Sequence, residues 1–137
     1  IQQVIGPDRA VGIVCAQKRF LTDTHLENVG INLDSNFIIA GALDEYGCPE
    51  FTNLWDHEKR PECPQSHYSK AEKDMIRICS EFCDANPHIG ALMLECTGMQ
   101  PFARAVQRVL DLPVFSWGTL LDYAYSVVAH RDYFGHV

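Results

Sequence analysis

A chain of 137 residues is long enough for one domain with a core of its own and too short for two of ordinary size. Its 47% apolar and 21% charged residues are the balance of a folded globular protein, and a formal charge of −7 argues against a basic surface for displacing counterions from nucleic acid. No apolar run approaches the roughly 18 residues of a membrane span, and no charged-then-apolar leader opens the chain, so a cytoplasmic protein engaging neither nucleic acid nor membrane is expected.

Ile1 to Ile5 reads as the last turn of a helix stopped at Gly6-Pro7, and a chain that opens this way is expected to have lost what preceded it. The run VGIVCA after Ala10 is a first buried strand, ending at Cys15 and Ala16. Lys18 and Arg19 follow in a loop, where a cation can meet an anionic substrate, although solvated charge is the commoner role. Thr22 suits the N-cap of a helix that turns Leu26 and Val29 inward and closes at Gly30. His25 on that helix reads as a surface or capping residue.

Phe37 to Leu43, FIIAGAL, is a second strand, and Asp44 to Ser69 a long irregular stretch, placed to cover a site or meet a partner. It holds Cys48, His57, Cys63 and His67, but at irregular spacings and without a CxxC pair, so no metal is expected. Ser69 with Glu72 reads as a capping box opening a helix to Ala85, with Met75, Ile76, Cys79, Phe82 and Cys83 as its inward stripe. Six cysteines without a leader fit reduced thiols better than a disulfide frame.

Asn86-Pro87 ends that helix, and Ile89 to Leu94 is the central strand. Glu95, Cys96, Thr97, Gly98 and Met99 then lead to a helix from Pro101 to Leu110, with Phe102, Ala105, Val106, Val109 and Leu110 at helical spacing. Cys96 is thus expected at the carboxyl end of a strand, facing a helix amino terminus. Open α/β sheets bind ligands there; free N–H groups receive an anion, and the same field favours thiolate over thiol. Thr97 and the backbone of Gly98 and Met99 would hold a substrate carboxylate while Cys96 exchanges a proton with its α-carbon. The alternative is that Cys96 is a small buried hydrophobe. Pro113 to Ser116 is a fourth strand. Gly118 to Ala129 is a last helix whose Leu120, Leu121, Tyr123, Ala124, Val127 and Val128 spread wider than one face needs, which predicts contact beyond this sheet. The tail from His130 to Val137 holds no motif. The order β-α-β-loop-α-β-α-β-α predicts an α/β, flavodoxin-like fold: a parallel four-stranded sheet with helices on both faces.

LECTGMQPFARAVQ followed by LPVFSWGTLLDYAYS resembles the carboxyl-terminal signature of the aspartate/glutamate racemase superfamily, whose usual form is LECTNMPPYA with a following LPVFD. VGIVCAQKRFLTDTHLENVGI resembles the same family's VGILTA segment and LTxxHLxxVGI helix, so the likeness covers nearly the whole chain, with a looser middle. It departs at Gly98 and Gln100, and nothing corresponds to the family's first half. The resemblance implies a PLP-independent amino-acid racemase or epimerase with no cofactor. Two cysteines would work on opposite faces of the substrate's α-carbon, one from each of two similar α/β halves. Cys96 matches the second. The chain is then a single α/β domain over 1–137 corresponding to the carboxyl-terminal half. It would take an amino acid or related carboxylate and form a homodimer or pair with a missing amino-terminal half. Cys15 is the in-chain candidate for a second group at the substrate, and Glu95 beside Cys96 would oppose its thiolate. Two alternatives stand beside this: a single-cysteine enzyme similar to the arylmalonate decarboxylase branch, and a catalytically incomplete binding or assembly module.

Overall fold

Six consecutive small or apolar residues, all buried, make strand β1 (Ala10–Cys15) an inner strand of the sheet. The computed structural model, which describes residues 1–132 and 135, pairs it with β2 (Phe37–Gly41) on one side and β3 (Ile89–Leu94) on the other. Strand β4 (Val114–Ser116) pairs with β3, giving the order β2-β1-β3-β4 with every pair parallel. The protein is therefore α/β with a four-stranded parallel sheet, consistent with the expected flavodoxin-like fold. Positions 133, 134, 136 and 137 of the uninterpreted tail lie outside the described residues.

Register decides what each face shows. Gly12 pairs with Ile38 and Leu92, and Leu92 with Val114, so these residues share one face with Val14, Ala40 and Leu94. That face is roofed by helices α3 (Pro49–Trp55), α4 (Tyr68–Ala85) and α5 (Ala103–Leu110), and Phe51, Met75, Ile78, Phe82, Leu92, Leu94, Met99 and Val106 are fully buried there. Gly12 lets α4 close down, because a Cβ there would lie 2.7 Å from the Leu92 side chain and 2.9 Å from the Phe82 ring. The opposite face presents Val11, Ile13, Cys15, Phe37, Ile39, Ala91, Met93 and Phe115. It is less well covered: the short helix α1 (Gln2–Ile5) touches β1, α2 (Asp23–Asn28) buries Leu26 alone, and Phe37, Ile39, Met93 and Phe115 stay half-exposed. Helix α6 (Trp117–Val128) follows β4 directly and buries none of its residues.

Several expectations change at the level of local packing. The stretch from Asp44 to Ser69 is not irregular throughout: Pro49 occupies the first turn of α3, and Phe51 pins that helix to the core. Helix α4 starts at Tyr68 with His67 before it, so Ser69 lies inside the helix and makes no capping box with Glu72. The buried Glu50 carboxylate instead accepts the His67 N–H at 2.7 Å. Its inward stripe includes Ala71 and Ile78, while Ile76 and Cys83 are only half-buried. Val29 and Val109 point outward, 74% and 57% exposed; α2 stops at Asn28, leaving Val29 on its outgoing turn. His25 caps, as expected: its Nδ1 accepts the Thr22 N–H at 3.1 Å, and Gly30 has φ +78°. Among the described residues no helix is long and apolar enough to cross a membrane.

Candidate functional site

The ladder between β1 and β3 continues one step past the strand, where the Glu95 N–H donates to the Val14 carbonyl at 2.9 Å. The chain then turns. Pro101 and its neighbours do not begin an α-helix directly; Thr97–Phe102 winds as a 3-10 turn, and α5 starts at Ala103. Cys96 precedes this turn, and its carbonyl accepts the Met99 N–H at 3.0 Å.

Cys96 is half-buried, its side chain against the edge of the core. Burial pushes its thiol pKa up, the Gly98 N–H directed at the sulfur pulls it down, and the Glu95 carboxylate pushes it up again; the net direction is upward. The resting group is therefore a thiol, not the thiolate that a helix amino terminus was expected to favour. One amide does not offset desolvation plus a neighbouring negative charge.

Thr97 leaves its side chain exposed, while its carbonyl accepts the Trp117 indole N–H at 3.2 Å. Gly98 lies under the Trp55 indole, and a Cβ at Gly98 would land inside that ring. Met99 is fully buried and its N–H is already spent on Cys96, so it anchors the turn. Gln100 occupies the space that Gly118 leaves empty, since a Cβ on Gly118 would collide with the Gln100 amide. The two positions where the signature departs from its usual form are thus each fitted by a partner elsewhere in the chain, Gly98 by Trp55 and Gln100 by Gly118.

Cys15 lies at the end of β1 and is almost wholly buried. It is 3% exposed, and its thiol donates to the Ala40 carbonyl at 3.5 Å. Burial first, then the Glu95 and Asp44 carboxylates, push its pKa up to about 11 against its own backbone N–H, with Glu45 adding to the rise. Lys18 is paired with Glu45 at 2.9 Å, and the backbone N–H groups of Lys18 and Arg19 hold the Asp44 carboxylate. Arg19 lies over the Phe20 ring, 4.7 Å from its centre.

Glu95 was read from sequence only as a neighbour of Cys96. In the fold its charge raises the pKa of both Cys15 and Cys96, and it lines two cavities. One, of about 270 Å³, is bounded by Cys15, Gln17, Phe20, His25 and Glu95. The other, of about 540 Å³, is bounded by Met93, Glu95, Phe115, Trp117, Leu120 and Tyr123 among others. Cys96, next to Glu95 in the chain, lines neither. Trp55 and Trp117 were also missed as site residues, because their contact with the turn comes from distant segments. Among the described residues no three His, Cys, Asp or Glu side chains are grouped to hold a metal ion. Cys48 is buried with its thiol toward Asp74 at 3.7 Å, while Cys63 is exposed.

No family's sequence profile matches the chain, and no solved structure matches it. Dimethylsulfoniopropionate lyase 5 of Emiliania huxleyi (strain CCMP1516) is 30% identical over 61 residues. The matched segment is 44% of this chain and 12% of that protein, so the likeness spans a small part of the longer sequence.

Proposed function

We propose that this chain is the Cys96-bearing half of an aspartate/glutamate racemase-like enzyme that moves a proton at the α-carbon of an amino acid or related carboxylate without a cofactor, in a cytoplasmic setting. The observation that supports it most is the place of Cys96: half-buried just past the carboxyl end of an inner parallel strand, where the chain enters the turn that carries Thr97 and Gly98. Six free thiols suit a reducing compartment.

In this reading the Cys96 thiol gives its proton to the carbanionic α-carbon. The new C–H bond forms as the S–H bond breaks, and the electron pair stays on sulfur, where the Gly98 N–H stabilises it. In the reverse direction the thiolate removes the same proton. The exposed Thr97 side chain and the Gly98 backbone bound the position of the substrate carboxylate. Inversion needs a second group on the opposite face. Cys15 is 3% exposed with its thiol donated to the Ala40 carbonyl, so in this reading that group comes from a second copy or a separate first half. The uncovered apolar surface of α6 supports such a pairing, and an assembly module without chemistry is the form this idea takes if Cys96 proves inert.

The similarity to a lyase favours one further reading. Loss of the same α-proton, followed by departure of a β-substituent, gives an alkene and requires a single proton-removing group. Proton NMR in heavy water separates the two reactions. Deuterium at the α-carbon of intact substrate marks the racemase, and an unsaturated acid marks the lyase. Cys96→Ser should abolish whichever is seen, and either reaction persisting in that variant refutes the role of Cys96.

A further inference from the structure

Strands β2 and β4 are the two edges of the sheet, and they end it differently. β4 has three residues and runs straight into α6, while β2 has five, FIIAG, without the charge, proline or bulge that usually keeps an exposed edge from pairing. The bonds at its two ends fix which groups face outward. The Val11 N–H donates to the Asn36 carbonyl and the Ala42 N–H to the Cys15 carbonyl, each at 2.9 Å, so residues 36, 38, 40 and 42 turn their backbone groups to β1 and residues 37, 39 and 41 turn theirs away. The Phe37 N–H donates to the Ser35 carbonyl at 3.0 Å, the Gly41 N–H donates to the Glu45 carboxylate at 2.8 Å, and the Gly41 carbonyl accepts the Glu45 N–H at 3.1 Å. Both the N–H and the carbonyl of Ile39 are left without a partner among the described residues. Beside this edge, on the face roofed by α4, lies a groove of about 350 Å³ bounded by Ile38, Ala40, Tyr46, Phe82 and Asn86, with the Lys18–Glu45 ion pair in its wall.

We propose that β2 is a docking edge for a second copy of this chain, paired antiparallel about a two-fold axis through Ile39, so that two four-stranded sheets join into one. A donor and an acceptor on one residue are complementary to themselves under that axis: each Ile39 N–H donates to the other copy's carbonyl, as in a hydrogen-bonded antiparallel pair. The same register matches residue sizes. Ile38 falls opposite the small Ala40 of the second copy, on the α4 face, where the groove receives it, and Ile39 meets Ile39 on the other face. Phe37 falls opposite Gly41, whose side of the strand already holds the Asp44 carboxylate, so the shared ladder ends there. A ladder this short buries less than about 1,200 Å², the range of weak, reversible association. The inference does not depend on chemistry at Cys96, and α6, at the opposite edge, stays free.

Sedimentation velocity between about 1 and about 300 µM should show monomer giving way to dimer as concentration rises. Ile39→Lys sets like charges directly opposite each other and should weaken dimerisation at least about tenfold, as should Ile39→Glu, while an equimolar mixture of the two variants dimerises again. That restoration also shows that both variants fold. In a Cys63→Ser background, which removes the exposed thiol, Ile39→Cys should form a disulfide between copies under mild oxidation, because Cα atoms in such a pair are about 5.5 Å apart; mass spectrometry maps the link to position 39 on both sides. A parent chain that stays monomeric throughout, a mixture that does not restore the dimer, or the absence of a 39–39 link would overturn the inference. So would a dimer that Ile39→Lys leaves intact and Leu121→Lys removes, which would assign association to α6.

Discussion

Cys96 keeps its proton at neutral pH because desolvation of a half-buried sulfur outweighs the single N–H it receives from Gly98, with Glu95 adding in the same direction. A thiol raised in this way ionises only above its ordinary range, so any rate that needs the thiolate should still be climbing at pH 9.0. Removing the Glu95 charge should move that rise toward lower pH. Alkylation by iodoacetamide, read by mass spectrometry at Cys96 with the exposed Cys63 as an internal reference, measures the profile; an unchanged profile in Glu95→Gln would mean the carboxylate does not act on the sulfur. The indole over Gly98 gives a second expectation. Gly98→Asn, which restores the usual form of the signature, should cost about 1–3 kcal/mol in chemical denaturation because it overfills the space under Trp55. In Trp55→Ala the same change should cost less, a coupling that a double-mutant cycle reads directly. Cys96, Thr97 and Gly98 were legible because strand, cysteine and turn are contiguous in the sequence. Trp55, 43 positions upstream, and Glu95 as the charge shared by two thiols were not, since their roles arise from chain segments meeting in space.

At the scale of elements, the four strands and the long helix were readable because their apolar periodicities are strong and local. The match is closest in β1, buried along its whole length, and in β3, buried at four of its six positions. Helix α3 was hidden for the opposite reason: seven residues are too few to show a period, and Phe51, stacked on Trp55 of the same helix, holds it through tertiary packing against Phe102. The start of α4 misled in a similar way, because a buried glutamate from α3 supplies the contact that a local capping box would have made. Phe82 joins α4 to the sheet beneath Gly12, and it is fully buried. Phe82→Ala should therefore destabilise the fold by about 3–5 kcal/mol in urea unfolding. A loss under about 1 kcal/mol would mean that α4 is not seated on the sheet as described.

Considered as a whole, the molecule is unevenly covered. Three helices close one face of the sheet, while the other has two short helices and an open aromatic cavity, and α6 stands with its apolar residues uncovered. The openness gathers where β1 and β3 end, beside Glu95 and the turn after Cys96. The wide apolar spread that the sequence shows along the last helix corresponds to side chains that the fold leaves exposed, Leu120, Leu121, Tyr123, Val127 and Val128 among them. The most direct test of the account compares two single variants in heavy water, Cys96→Ser and Cys15→Ser, following α-deuterium incorporation into a panel of amino acids and related carboxylates by NMR. The account predicts exchange in the parent chain, its loss in Cys96→Ser and its retention in Cys15→Ser. No exchange in the parent chain, or exchange that survives in Cys96→Ser, would contradict it.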